Sequence, residues 1–148
     1  MWRRPQEPDR QEAPTWEEPV ADTRRVLIEH PDPAAQDVLA RGLEQHGYEV
    51  LTCGGPRAAG RTEVSCPLLR QEPCGAVDGA DVVVSGLSPH TSTERLIIRR
   101  ISQGHGPAQL VLEATPGEAT GLIDTPAAAH VTPLTVSGLV DTLERLVP

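Results

Sequence analysis

Five short runs of β-branched and aliphatic residues recur along this chain: RVLIEH, YEVLTC, ADVVVSGL, PAQLVLEA and AAAHVTPL. Stretches with helical spacing of apolar residues separate most of them. This alternation constrains the fold more than any other feature. A strand that is apolar at every position needs cover on both faces, and helices between successive strands supply it. Parallel neighbours also require a crossover connection, which the same helices provide. Right-handed crossovers between five such strands predict a doubly wound α/β sheet, five-stranded and parallel, of order 2-1-3-4-5.

Local signals place the helices. Asp32 is suited to cap a helix with Pro33 in its first position, and Gly47 is suited to end it. Val38, Leu39, Gly42 and Leu43 form its expected buried stripe. Thr91 and Glu94 read as a capping box before a helix that turns Leu96, Ile97, Ile98 and Ile101 inward. TPGEATGLID reads as a short helix at best, and TVSGLVDTLERLV closes the chain with Leu139, Val140, Leu143, Leu146 and Val147 inward. Where the second helix belongs, CGGPRAAGRTEVSCPLLRQEPC runs from Cys53 to Cys74, broken by Pro and Gly. A loop is expected there in place of the helix.

With 148 residues the chain suits one domain. Residues 1–23 are rich in Pro, Glu, Arg and Gln and are expected to be a disordered or loosely docked tail before a domain over 24–148. Trp2 and Trp16 lie in that tail, with Tyr48 the one aromatic residue elsewhere. They are read either as cover for an apolar patch on their own domain or as a motif that docks on a partner. A net charge of −8 argues against a nucleic-acid surface. Lys, Phe and Asn are absent, which fits a GC-rich, bacterial genome and rules out Schiff-base chemistry. No apolar run reaches the roughly 18 residues a membrane span needs, and the first residues lack the apolar core of a signal peptide. A cytoplasmic location and reduced thiols are the expectation.

From about Arg25 to Val147 the chain resembles a response-regulator receiver (CheY-like) domain, in the flavodoxin-like class. The resemblance rests on VLIEHPDPAAQDVLARGLEQHGYEVLT, ADVVVSGLSP and HVTPLTVSGLVDTLERLV. Receivers phosphorylate themselves with an acidic pair that helps hold Mg²⁺, an Asp after the third strand, a Ser or Thr after the fourth and a Lys after the fifth. The chemistry demands this set, because a dianion forming on a carboxylate needs a cation and hydrogen-bond donors around it. The matching positions here are His30 and Pro31 for the acidic pair and Gly86, or Ser85 one residue earlier, for the acceptor. Ala114, beside Thr115, stands for the hydroxyl, and Thr132 for the Lys. The resemblance thus implies a degenerate receiver, a pseudo-receiver that is not phosphorylated.

The topology puts Cys53 and His30 at carboxyl ends of neighbouring strands, where such folds bind ligands, with Cys66 and Cys74 in the following connection. Three thiolates and an imidazole would suit Zn²⁺, and three thiolates an iron–sulfur cluster. A Cys66–Cys74 disulfide and three ordinary thiols are the other readings. Neither a nucleophile elbow nor a phosphate loop is present: Ser85-Gly86-Leu87-Ser88 lacks the flanking glycines, and Gly54-Gly55-Pro56 is too short. Taken together, these features predict a non-enzymatic regulatory domain without a cofactor. It would contact a protein partner, or a second copy, through its last strand and last helix, with no nucleic acid and no membrane. A metal- or redox-sensing module on the same scaffold is the alternative, and a small enzyme with a ligand at the switch point ranks third.

Overall fold

The computed structural model describes residues 14–18, 22–55, 66–88, 90–103, 109–113, 129–130 and 133–147. The elements, in order, are β1 (Arg25–Glu29), α1 (Pro33–Gln45), β2 (Glu49–Cys53), a 3-10 turn (Pro67–Arg70) and α2 (Gly75–Asp78). They continue with β3 (Val82–Ser85), α3 (Ser92–Ser102), β4 (Gln109–Leu112), β5 (Ala129–His130) and α4 (Val136–Leu146). All strand pairs are parallel and the sheet order is β2-β1-β3-β4-β5, as the alternation predicts.

Side chains alternate across each strand, so the sheet has two dry layers. Leu27, Val83, Leu110 and Leu112 face α2 and α3, where Ala76, Val77, Ile97 and Ile98 meet them. Val26, Ile28, Val82, Val84 and Val111 face α1 and α4, against Leu39, Leu43, Leu139 and Leu143.

Helix α1 starts as expected, with the Asp32 carboxylate accepting the Ala34 N–H at 2.9 Å and Pro33 at the first position. It stops at Gly47, whose φ of 89° lies in the left-handed region that glycine tolerates. Its buried stripe differs from expectation. Leu39, Ala40 and Leu43 are buried, while Val38 is 62% exposed. The same correction applies to Leu96 on α3, which is 36% exposed. In each case the apolar run is wider than the arc the sheet covers, and the excess residue turns outward. Thr91 does cap α3, but its side chain makes no capping bond, and Glu94 is instead buried.

The described part of the cysteine segment carries the 3-10 turn, and the single turn of α2 follows it from Gly75. Residues 56–65, TPGEATGLID, Trp2, Ala114, Thr115 and Thr132 lie outside the described residues.

Trp16 packs as the first of its two readings has it, as cover on its own domain. Its indole N–H donates to the Ala76 carbonyl at 2.8 Å, and its ring packs on the α2–α3 layer beneath the Arg25 guanidinium, 5.1 Å from the ring centre. Arg25 also donates to the Glu17 carbonyl and pairs with Glu49 at 3.3 Å. The indole is therefore engaged on its own domain rather than free for a partner. Trp16→Ala should lower stability by about 2–3 kcal/mol, part of the cost of a fully buried Trp plus one hydrogen bond. Urea unfolding checks this.

Helices α1 and α4 cross at Gly42, where a β-carbon would sit 2.5 Å from Val136 Cγ2. Gly42→Ala should therefore destabilise by about 1–2 kcal/mol, as crowding outweighs the gain in helix propensity. In a Val136→Ala background the same substitution should be neutral or stabilising. Chemical denaturation of the four proteins in this cycle measures the difference.

Candidate functional site

Among the described residues, side chains pack closely at the carboxyl ends of β1 and β3. Ser85, the last residue of β3, is fully buried, and its hydroxyl accepts the Leu87 N–H at 3.3 Å. The next residue, Gly86, donates its N–H to the Glu29 carbonyl at 2.8 Å. The His30 ring lies against Gly86, such that a β-carbon there would be 2.4 Å from His30 Cδ2. His30 is itself fixed: its N–H donates to the Cys53 carbonyl at 3.0 Å, and its Nδ1 accepts the Asp32 N–H at 3.0 Å.

One residue before His30 lies a buried acid. Glu29 ends β1 with its Cα in register with Cys53 on β2 and Ser85 on β3, and it is 4% exposed. Burial pushes its carboxyl from 4.5 up to about 7. A cleft of about 710 Å³ opens at the opposite, amino ends of the strands, among Arg24, Arg25, His46, Tyr48 and Asp81. The Arg25 guanidinium there is already engaged by Glu49 and the Glu17 carbonyl.

No protein-family model matches the chain, and no curated relative matches it. Solved structures do. Chemotaxis protein CheY4 of Vibrio cholerae superposes with a TM-score of 0.59 at 18% identity, covering 84% of this chain and 99% of that one. The receiver domain of the hybrid histidine kinase CckA gives 0.55 at 17% identity, covering 84% and 99%. Response regulator TrrA of Thermotoga maritima, in complex with Mg²⁺ and BeF, gives 0.54 at 16% identity, covering 84% and 100%.

The chain has the fold of a receiver domain.

In this receiver-like frame the sequence-predicted positions fall as follows. His30 and Gly86 meet each other, Ser85 is buried beside them, and Pro31 is exposed at the turn into α1. The three cysteines do gather on one side of the sheet, packed at the edge of the α2–α3 layer. All three are half-buried and none is in a disulfide, so no Cys66–Cys74 bridge is formed. Among the described residues, no three His, Cys, Asp or Glu side chains come together as a cation's ligand set, and that departs from the metal expectation for His30, Cys53, Cys66 and Cys74. Burial raises the thiols of Cys66 and Cys74, opposed by nearby backbone N–H groups and reinforced by the charges of Glu29 and Cys53. Such thiols stay protonated at neutral pH and serve as small apolar side chains.

Glu29 is the residue that sequence reasoning passed over. The available signal was its place in RVLIEH, two residues after Leu27 and hence on the same covered face.

A carboxyl raised from 4.5 to about 7 holds its proton more tightly in the folded chain than in the unfolded one. Between those values the native state binds more protons, so this group makes stability fall as pH rises, until the loss levels off above about 7. The full span is worth about 3 kcal/mol. Glu29→Gln should remove that slope and leave the protein more stable than wild type at pH values near 8. Urea midpoints of both proteins at acid and alkaline pH measure it.

Proposed function

We propose that this chain is a pseudo-receiver: a non-enzymatic regulatory domain that acts through protein contact and does not accept a phosphoryl group. The contact between His30 and Gly86 carries this reading. A receiver's acceptor carboxylate would have to project from Ser85 or Gly86. The first is a buried hydroxyl, and the second has no room for a side chain. The acidic pair that would help hold Mg²⁺ is replaced by His30 and Pro31. With no carboxylate at either position, the acyl phosphate of a receiver has no residue to form on.

The surface offered to a partner or a second copy is the β5–α4 edge. Strand β5 is one of the two edge strands, and α4 presents exposed Ser137, Asp141, Glu144 and Arg145. The zinc or iron–sulfur reading finds no support in the arrangement of the thiols.

Incubation with acetyl phosphate and Mg²⁺ should leave the intact mass unchanged. A stoichiometric phosphoryl adduct that is lost on hydroxylamine treatment would overturn the reading.

A further inference from the structure

We infer that the outward face of α3, Leu96 set among Arg95, Arg99 and Arg100, is a docking surface for an acidic segment of a partner protein. This goes beyond the regulatory reading. Helix α3 covers the face of the sheet opposite to α4, and the inference stands whether or not the chain accepts a phosphoryl group.

Helical spacing builds the face. Glu94, Ile97, Ile98 and Ile101 fill the inward arc of α3 and are buried. The opposite arc carries Ser92, Leu96, Arg99 and Gln103, all exposed. Arg95 lies on one flank of that arc and Arg100 on the other, both half-buried. Leu96 is a large apolar residue left 36% exposed, and Arg99 and Arg100 follow it by one helical turn. An apolar centre ringed by guanidinium groups has the make-up of a protein interface, where polar groups form the rim and Arg is enriched.

The charges on this face are not neutralised among the described residues. Ion pairs there join Arg25 to Glu49, Arg41 to Asp37 and Arg70 to Glu72, and none takes in Arg95, Arg99 or Arg100. The Arg100 Nε–H is buried and meets no acceptor. An unsatisfied buried donor is costly, and a carboxylate that approaches a guanidinium side-on accepts from Nε and Nη together. Arg95 and Arg99, four residues apart, also repel each other until an anion lies between them. Arg99 and Arg100 suit the last turn of a helix, but Arg95, near the start of α3, gains nothing from that end. This cationic cluster stands on a chain whose net charge is −8.

Leu96 decides which anion the face takes. A phosphate backbone has no apolar group to lay on it, and an acidic chain repels an extended polyanion. A peptide segment in which Asp or Glu flanks an apolar residue meets both demands. Its carboxylates pair with the arginines while its apolar side chain covers Leu96.

Titration of the ¹⁵N-labelled full chain with the peptide acetyl-EELLEELLEE-amide tests the surface. Saturable amide shifts should centre on Leu96, Arg99 and Arg100 and weaken as salt is raised. Arg95→Gln/Arg99→Gln should weaken binding roughly tenfold. Leu96→Gln should weaken it with unchanged salt dependence, since that substitution removes apolar area and no charge. The cationic peptide acetyl-KKLLKKLLKK-amide should leave these resonances unmoved. Neither variant touches the buried arc of α3, and should one fail to fold, the other decides. Absence of saturable shifts on α3, equal affinity in both variants, or an equal response to the cationic peptide overturns the inference. So does tighter binding of a poly-uridylate oligonucleotide to the same residues, which would make the face a nucleic-acid site.

Discussion

A parallel sheet stays dry on both faces only where its strands are apolar on both faces, and β1, β3 and β4 meet that demand through Val26 to Ile28, Val82 to Val84 and Leu110 to Leu112. The polar residues at the strand ends then need separate solutions. At the amino ends, Arg25 is held by Glu49, Trp16 and the Glu17 carbonyl, and Gln109 donates to the Leu146 carbonyl at 3.3 Å. At the carboxyl ends, Ser85 accepts from the Leu87 N–H, and burial raises the Glu29 carboxyl to about 7. The amino edge is thus tied by charge and the carboxyl edge by exclusion of water.

That asymmetry shapes the candidate site. Doubly wound folds keep their ligand crevice at the carboxyl ends of the strands. Here, among the described residues, His30 lies against Gly86 at those ends, and the cysteine segment packs on the adjoining layer. The three thiols contribute apolar surface to this packing. The cover on that side of the sheet also desolvates Glu29.

Much of the scaffold was legible in the sequence because it rests on local rules. The runs of β-branched residues, the Asp32–Pro33 start and the Gly47 stop each act within a few residues, and each appears where the pattern put it. What stayed hidden depends on distant partners. Trp16 bonds to Ala76, sixty positions away, and no local pattern announces that contact. Val38 and Leu96 turn outward because the covered arc is narrower than the apolar run. Glu94 belongs to a capping motif by spacing, yet its side chain is buried. At the site, the gathering of the cysteines on one side of the sheet followed from topology. Whether they formed a ligand set depended on side-chain geometry that spacing does not encode.

The closed carboxyl end is the centre of this account, and binding of a phosphoryl mimic tests it most directly. Amide spectra of the ¹⁵N-labelled chain should be recorded while Mg²⁺ and beryllofluoride are titrated together. The resonances of His30, Ser85 and Gly86 should show no saturable shift beyond that caused by matched salt. Saturable shifts centred on these three residues would mean that the crevice is open and holds both cation and anion, contradicting the closure by His30 and Gly86.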